Sequence, residues 1–179
     1  SDNSFMDELR FFSTALSQSE IQNILGVTNP YTPDDGETMY MAFDGTYKNW
    51  VSGATATEVG SPSFAGESKL GADAYAGAED SYLTFPTTGL LTDEFSATMW
   101  HKLNATLDRA SVLVIGPEDT ANANFPDVQN NRDAGFRFFR ENAGGMQRFK
   151  LNVGTGAANV WVDGGSAADI DPAANEWVH

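Results

Sequence analysis

Residues 95–104 read Phe-Ser-Ala-Thr-Met-Trp-His-Lys-Leu-Asn, and their alternation decides the fold class. Phe95, Ala97, Met99, His101 and Leu103 fall on one side of an extended chain. Ser96, Thr98, Trp100, Lys102 and Asn104 fall on the other. A period of two is the signature of a β-strand, because successive side chains point to opposite faces of a sheet. Working outward, further strands are expected at 39–43, 82–85, 111–115, 136–140, 148–153 and 159–162. Asp44-Gly45 and Pro86 close the first two of these. Residues 45–76 are rich in Gly, Ser, Ala and Thr and read as long loops with short strands. Residues 117–134 read as one Asn-rich loop. Many short strands divided by turn signals predict an all-β protein, an antiparallel β-sandwich.

The N-terminal region differs. Residues 4–12 form a strand crowded with Phe5, Met6, Leu9, Phe11 and Phe12. One short helix follows near the N-terminus. Ser17 and Glu20 have the spacing of a capping box, Leu16, Ile21, Ile24 and Leu25 supply an apolar stripe, and Gly26 stops the helix. Residues 27–37 hold Pro30, Pro33, Asp34, Asp35 and Gly36 and read as an exposed linker. The organisation expected is thus 1–26, a strand and helix; 27–37, a linker; and 38–179, the body of the sandwich.

Charge excludes several partners. With 25 acidic residues against 10 basic ones, the net charge is −15. Nucleic acid and anionic lipid surfaces both demand clustered Lys and Arg, so neither is an expected partner. No apolar run reaches the length of a membrane span. There is no cysteine, which removes disulfides, thiolate metal sites and a Cys nucleophile. Gly154-Thr155-Gly156 has the look of a dinucleotide loop, but a strand and not a helix follows, so it reads as a hairpin turn. No nucleophile elbow and no phosphate loop occurs.

Several stretches, taken in order, resemble the laminin-G-like, concanavalin-A-like jelly rolls of bacterial surface and secreted proteins. They are Ala42-Phe43-Asp44-Gly45, Gly66-Glu67-Ser68-Lys69-Leu70-Gly71, Tyr82-Leu83-Thr84-Phe85-Pro86, the strand from Phe95 to Trp100, and Asn175-Glu176-Trp177-Val178-His179. Phe5 to Phe12 together with Ala15 to Ile21 resembles the strand and helix that end a domain of that family, yet here it opens the chain. Two arrangements fit. The chain is a window on a tandem array, or residues 1–25 complete the same sandwich. In either, a neighbouring repeat or subunit is expected to cover the unpaired strand edges and complete the sandwich. The resemblance further implies a jelly-roll fold, a non-catalytic role, and calcium as the cofactor. It points to Asp44 with Gly45 after the first strand and to Asp7 on the terminal strand, with Asp80 in a following loop, as the metal ligands. Calcium takes hard oxygen ligands gathered on loops.

Ligand-binding candidates come from the strands themselves. Trp100 shares a face with Thr98 and Lys102, and aromatic rings on a sheet face can stack on sugar rings. Trp161 sits beside Asp163. Arg148, Lys150 and Asn152 line the polar face of one strand, and with Arg137 and Arg140 they make a local basic pole. No carboxylate pair has the spacing glycoside cleavage requires, since Asp7-Glu8 and Glu79-Asp80 are adjacent and face opposite ways on a strand. The function expected is a non-enzymatic extracellular binding and adhesion module for carbohydrate or another surface polymer. The rivals are a structural repeat of a surface filament or giant adhesin and, ranked behind it, a fragment of a polysaccharide-degrading enzyme.

Overall fold

The computed structural model describes residues 4–26, 33–90, 92–103, 105–115, 136–154, 161–163 and 169–179. In chain order the elements are β1 (Ser4–Phe12), α1 (Gln18–Leu25), β2 (Glu37–Met41), β3 (Thr57–Val59), β4 (Ser63–Phe64), β5 (Tyr75–Ala76), β6 (Tyr82–Thr84), β7 (Ser96–Leu103), β8 (Arg109–Ile115), β9 (Phe136–Ala143), β10 (Met146–Gly154), β11 (Trp161–Asp163) and β12 (Trp177–Val178). A 3₁₀ turn at Pro172–Ala174 precedes β12. Every strand pairing is antiparallel, and α1 is the single α-helix among the described residues. This is the all-β class, consistent with a β-sandwich, that the alternation predicted. The described residues divide into two compact units, one within residues 4–103 together with 176–179 and the other within residues 105–175.

In the first unit β1 is the central strand of a six-stranded sheet. β7 runs along one of its edges from Ser4↔Leu103 to Phe12↔Ser96. The other edge is shared: Phe5 and Met6 pair with β5, and Leu9 to Phe12 pair with β2. The handover falls at an irregularity. Between Asp7↔Trp100 and Arg10↔Thr98, β1 uses three steps where β7 uses two, so β1 carries one extra residue. That residue geometry is a β-bulge. Glu8, with φ 54, adopts the left-handed conformation there. A non-glycine residue in that region costs of order 1 kcal/mol or more and persists only when its surroundings hold it.

Cross-strand partners share a face. Leu9 with Met41, and Phe11 with Met39, put four apolar side chains on one side of the sheet, all of them at most 2% exposed. Arg10, between Tyr40 on β2 and Thr98 on β7, lies on the opposite face. Both faces of β1 are covered, so its sequence does not alternate between apolar and polar. Phe5 is half-buried, and Leu9 and Phe11 are buried.

The helix forms as its sequence predicts. The Ser17 N–H donates to Glu20 Oε2 at 2.8 Å, and the Glu20 N–H donates to Ser17 Oγ at 3.4 Å, closing the capping box. None of its residues is buried, which matches its single apolar stripe and outside position. The Leu16 N–H, donating to Ser96 Oγ at 2.7 Å, ties the start of the helix to β7.

In the second unit the sheet order is β11-β10-β9-β8. β9 and β10 are longer than expected and join in a two-residue hairpin. Gly144 and Gly145 have φ 68 and 94, the left-handed pair that matches the twist of the flanking strands. Phe138 and Phe149 stack at 5.2 Å on this sheet. The Gly154-Thr155-Gly156 turn beyond Gly154, the Asn-rich loop of 117–134 and residues 27–32 of the linker lie outside the described residues.

Candidate functional site

A small cleft of ≈ 40 Å³ opens in the first unit, lined by Glu8, Arg10, Ile24, Leu25, Lys69, Leu70, Trp100 and His179. Each wall follows from a local feature. The bulge turns Glu8 onto the polar face of the sheet beside Arg10. β7 supplies Trp100, which is half-buried. The last turn of α1 supplies Ile24 and Leu25. The Lys69 ammonium lies 4.2 Å from the centre of the Trp100 ring, a cation–π contact, and His179 meets the same ring edge-on with centroids 5.0 Å apart.

Lys69 is held there by its backbone. The Lys69 and Leu70 N–H groups donate to Asp7 Oδ2 at 2.8 and 3.0 Å, and the Glu8 N–H donates to Asp7 Oδ1 at 2.9 Å. Asp44 fixes the next turn in the same way: the Ala72 and Asp73 N–H groups donate to its Oδ1 at 2.7 and 2.8 Å. Gly71, with φ 83, sits against the Asp44 carboxylate, where any Cβ would collide with it. Two aspartates far apart in sequence therefore clamp one loop.

The floor is an ion cluster in which Arg10, Glu8 and Glu37 are buried and Asp34 is exposed. Arg10 Nη2 donates to Glu8 Oε2 at 3.1 Å, and Nη1 donates to Glu37 Oε1 at 3.1 Å and Asp34 Oδ2 at 3.3 Å. The Tyr40 hydroxyl donates to Glu8 Oε2 at 2.8 Å, and the Arg10 guanidinium lies 4.0 Å from the Tyr40 ring centre. The Asp34 N–H donates to Glu37 Oε2 at 2.6 Å. Three carboxylates thus face one guanidinium, which keeps its proton at any ordinary pH. Burial pushes Glu37 up to about 7 against the pull of Arg10, and burial also raises Glu8. Asp7 is pushed up to about 7 by burial, with its amide donors and the Glu8 charge as smaller opposing and reinforcing causes.

The metal candidates occupy these same places. Asp7, on β1, and Asp44, after β2, bind successive backbone amides of the same loop, residues 69–73. The Asp7 carboxylate accepts from three backbone N–H groups, and Asp44 Oδ1 accepts from two. Gly45 (φ 65) and Asp80 (φ 53, exposed) are turn residues. Among the described residues no three His, Asp or Glu side chains gather in metal-holding geometry.

Of the ligand-binding candidates, Trp100 alone lines the cleft. The others belong to the second unit, where Arg148 Nε and Nη2 form a two-pronged bridge to Asp169 at 2.7 and 2.9 Å. Lys150 pairs with Glu141 at 3.0 Å, and Asn152 is buried. Arg137 Nε donates to Ser111 Oγ at 2.9 Å, and Arg140 Nη1 donates to the Ala105 carbonyl at 2.8 Å and Gln147 Oε1 at 3.1 Å. The basic residues of this sheet are thus engaged by their own sheet and loops. The Trp161 side chain lies outside the described residues.

Glu8, Arg10 and Lys69 escaped the sequence reading as site residues. The available signal was three charges, Asp7, Glu8 and Arg10, inside an otherwise apolar strand, since buried charges are rare unless paired. In comparisons with known proteins, no family model, no curated protein and no solved structure matches this chain. The likeness to laminin-G-like jelly rolls therefore rests on the short stretches quoted above.

Proposed function

We propose that this chain is a non-catalytic binding module of the cell exterior, and that it takes carbohydrate or a similar surface polymer at the Trp100 cleft. The observation that carries this reading is the composition of the cleft: a half-buried tryptophan, two aliphatic side chains from α1, a lysine at the rim and a hydrogen-bonding floor. Ligand clefts combine apolar walls with a few fixed polar groups, and sugar rings present both an apolar face and hydroxyls. Clamping of the Lys69 loop by Asp7 and Asp44 favours a preformed site, which spares ligand binding the entropy of ordering a loop. The floor acids bond to Arg10, Tyr40 and a backbone amide, an arrangement suited to holding shape. The acidic, cysteine-free composition agrees with the exported β-proteins that the sequence resembles.

The test is a titration of the purified chain with a panel of soluble oligosaccharides, followed by tryptophan fluorescence and calorimetry. Trp100→Ala should abolish binding while leaving the far-UV spectrum unchanged. A panel without a binder, or binding untouched by Trp100→Ala, overturns the reading and favours a spacer repeat.

A further inference from the structure

The ion pair at the floor of the cleft is half-closed. A carboxylate normally meets the guanidinium fork through two parallel N–H···O bonds. Here Arg10 Nη2 reaches Glu8 Oε2, which also takes the Tyr40 hydroxyl. The second leg is unmade. Among the described residues neither Glu8 Oε1 nor Arg10 Nε has a hydrogen-bond partner, although the two side chains are only 5% and 2% exposed. Both residues line the cleft. A buried acceptor and a buried donor from one ion pair are each costly to leave unmade. The bulge holds them there against the cost of Glu8's left-handed backbone.

We propose that the unmade leg of the Glu8–Arg10 pair is a hydroxyl-recognition element, in which a ligand hydroxyl donates to Glu8 Oε1 and accepts from Arg10 Nε, and that it selects neutral saccharides. This rests on the reading of the cleft as a binding site. The selectivity follows from the groups' valences. A hydroxyl donates and accepts through one oxygen. A carboxylate on the ligand accepts from Nε but has no proton for Oε1, and it meets three acids already gathered about Arg10. An ammonium group donates to Oε1 but leaves Nε without an acceptor. Lys69 does not reverse this preference, because its charge sits on the Trp100 ring.

The experiment compares three sets of oligosaccharides of equal length by calorimetry: neutral glucose, mannose and galactose oligomers, oligogalacturonate, and glucosamine oligomers. The full chain is used as wild type, Glu8→Gln and Trp100→Ala. A neutral oligomer should bind at least tenfold more tightly than its charged counterparts. Glu8→Gln keeps an oxygen for Tyr40 and Arg10 but places an NH₂ where Oε1 was, so affinity for the neutral oligomer should fall about tenfold. The Arg10 ¹⁵Nε–H resonance should shift on binding and its proton should exchange more slowly. That signal does not move if Glu8 only supports the fold. Equal affinity for oligogalacturonate, undiminished binding by Glu8→Gln, or an unmoved Arg10 Nε signal overturns the proposal. If Trp100→Ala abolishes binding in that case, the binding reading survives without it. If no oligomer binds, the binding reading and the proposal fall together.

Discussion

Asp7→Asn should reverse its effect on stability between acidic and mildly alkaline pH. Asp7 is fully buried, and its carboxyl titrates near 7 in the folded chain against an ordinary 3.8. That difference corresponds to at most ~4 kcal/mol of preference for the protonated form on folding. The sign follows from proton counting. Between pH ~4 and about 7 the native state binds this proton while the unfolded chain has lost it, so stability falls as pH rises through that window. Asn cannot ionise. Its oxygen can still accept the Lys69 and Leu70 N–H groups, but its NH₂ then faces the Glu8 N–H, a loss of about 1 kcal/mol. Near pH 4 the variant should therefore equal the wild type or fall about 1 kcal/mol below it. At pH 8 it should be the more stable of the two, by up to ~3 kcal/mol. Urea unfolding from pH 4 to 8, followed by tryptophan fluorescence, measures both curves. Some slope should persist in the variant, because Glu37 also titrates at about 7. A wild-type midpoint that rises steadily from pH 4 to 8, or a variant less stable than wild type at pH 8, refutes the reasoning.

Two further outcomes test the supports of the cleft. Gly71→Ala forces a Cβ into the Asp44 carboxylate at φ 83, so it should cost on the order of 2–3 kcal/mol and free the Ala72 and Asp73 amides to exchange, as urea midpoints and hydrogen exchange would show. Ser17→Ala removes half of the capping box, and because no residue of α1 is buried the melting temperature should barely move, whereas amide exchange within Gln18–Leu25 should quicken by roughly fivefold.

Local features were legible in the chain where a local cause sufficed. The capping box at Ser17 and Glu20 involves only neighbours, and it forms as read. The alternation at 95–104 placed β7 because antiparallel strands express a period of two whatever their partners. β2 was placed two residues late, at 39–43. Phe43 leaves the strand with φ 59, and backbone reversal at a buried aromatic carries no compositional mark. The basic cluster in β9 and β10 was visible, but its acidic partners were not. Asp169 lies 21 residues from Arg148 and belongs to no common motif.

The sequence by itself determined that this is an all-β chain with one capped helix, acidic and without cysteine, because periodicity, capping and composition are properties of adjacent residues. The cleft was decided only by tertiary structure. Glu8 reaches the polar face of the sheet through a bulge that appears only when β1 is registered against β7, 90 or so residues away. Arg10 meets Glu37 and Tyr40 only because β2 takes over the edge that β5 leaves, and Asp7 meets Lys69 and Leu70 only when their loop folds over β1. Burial then lifts the acids out of their ordinary range. A charge in a strand reads the same in sequence whether water or protein surrounds it, and only the folded chain supplies that surrounding.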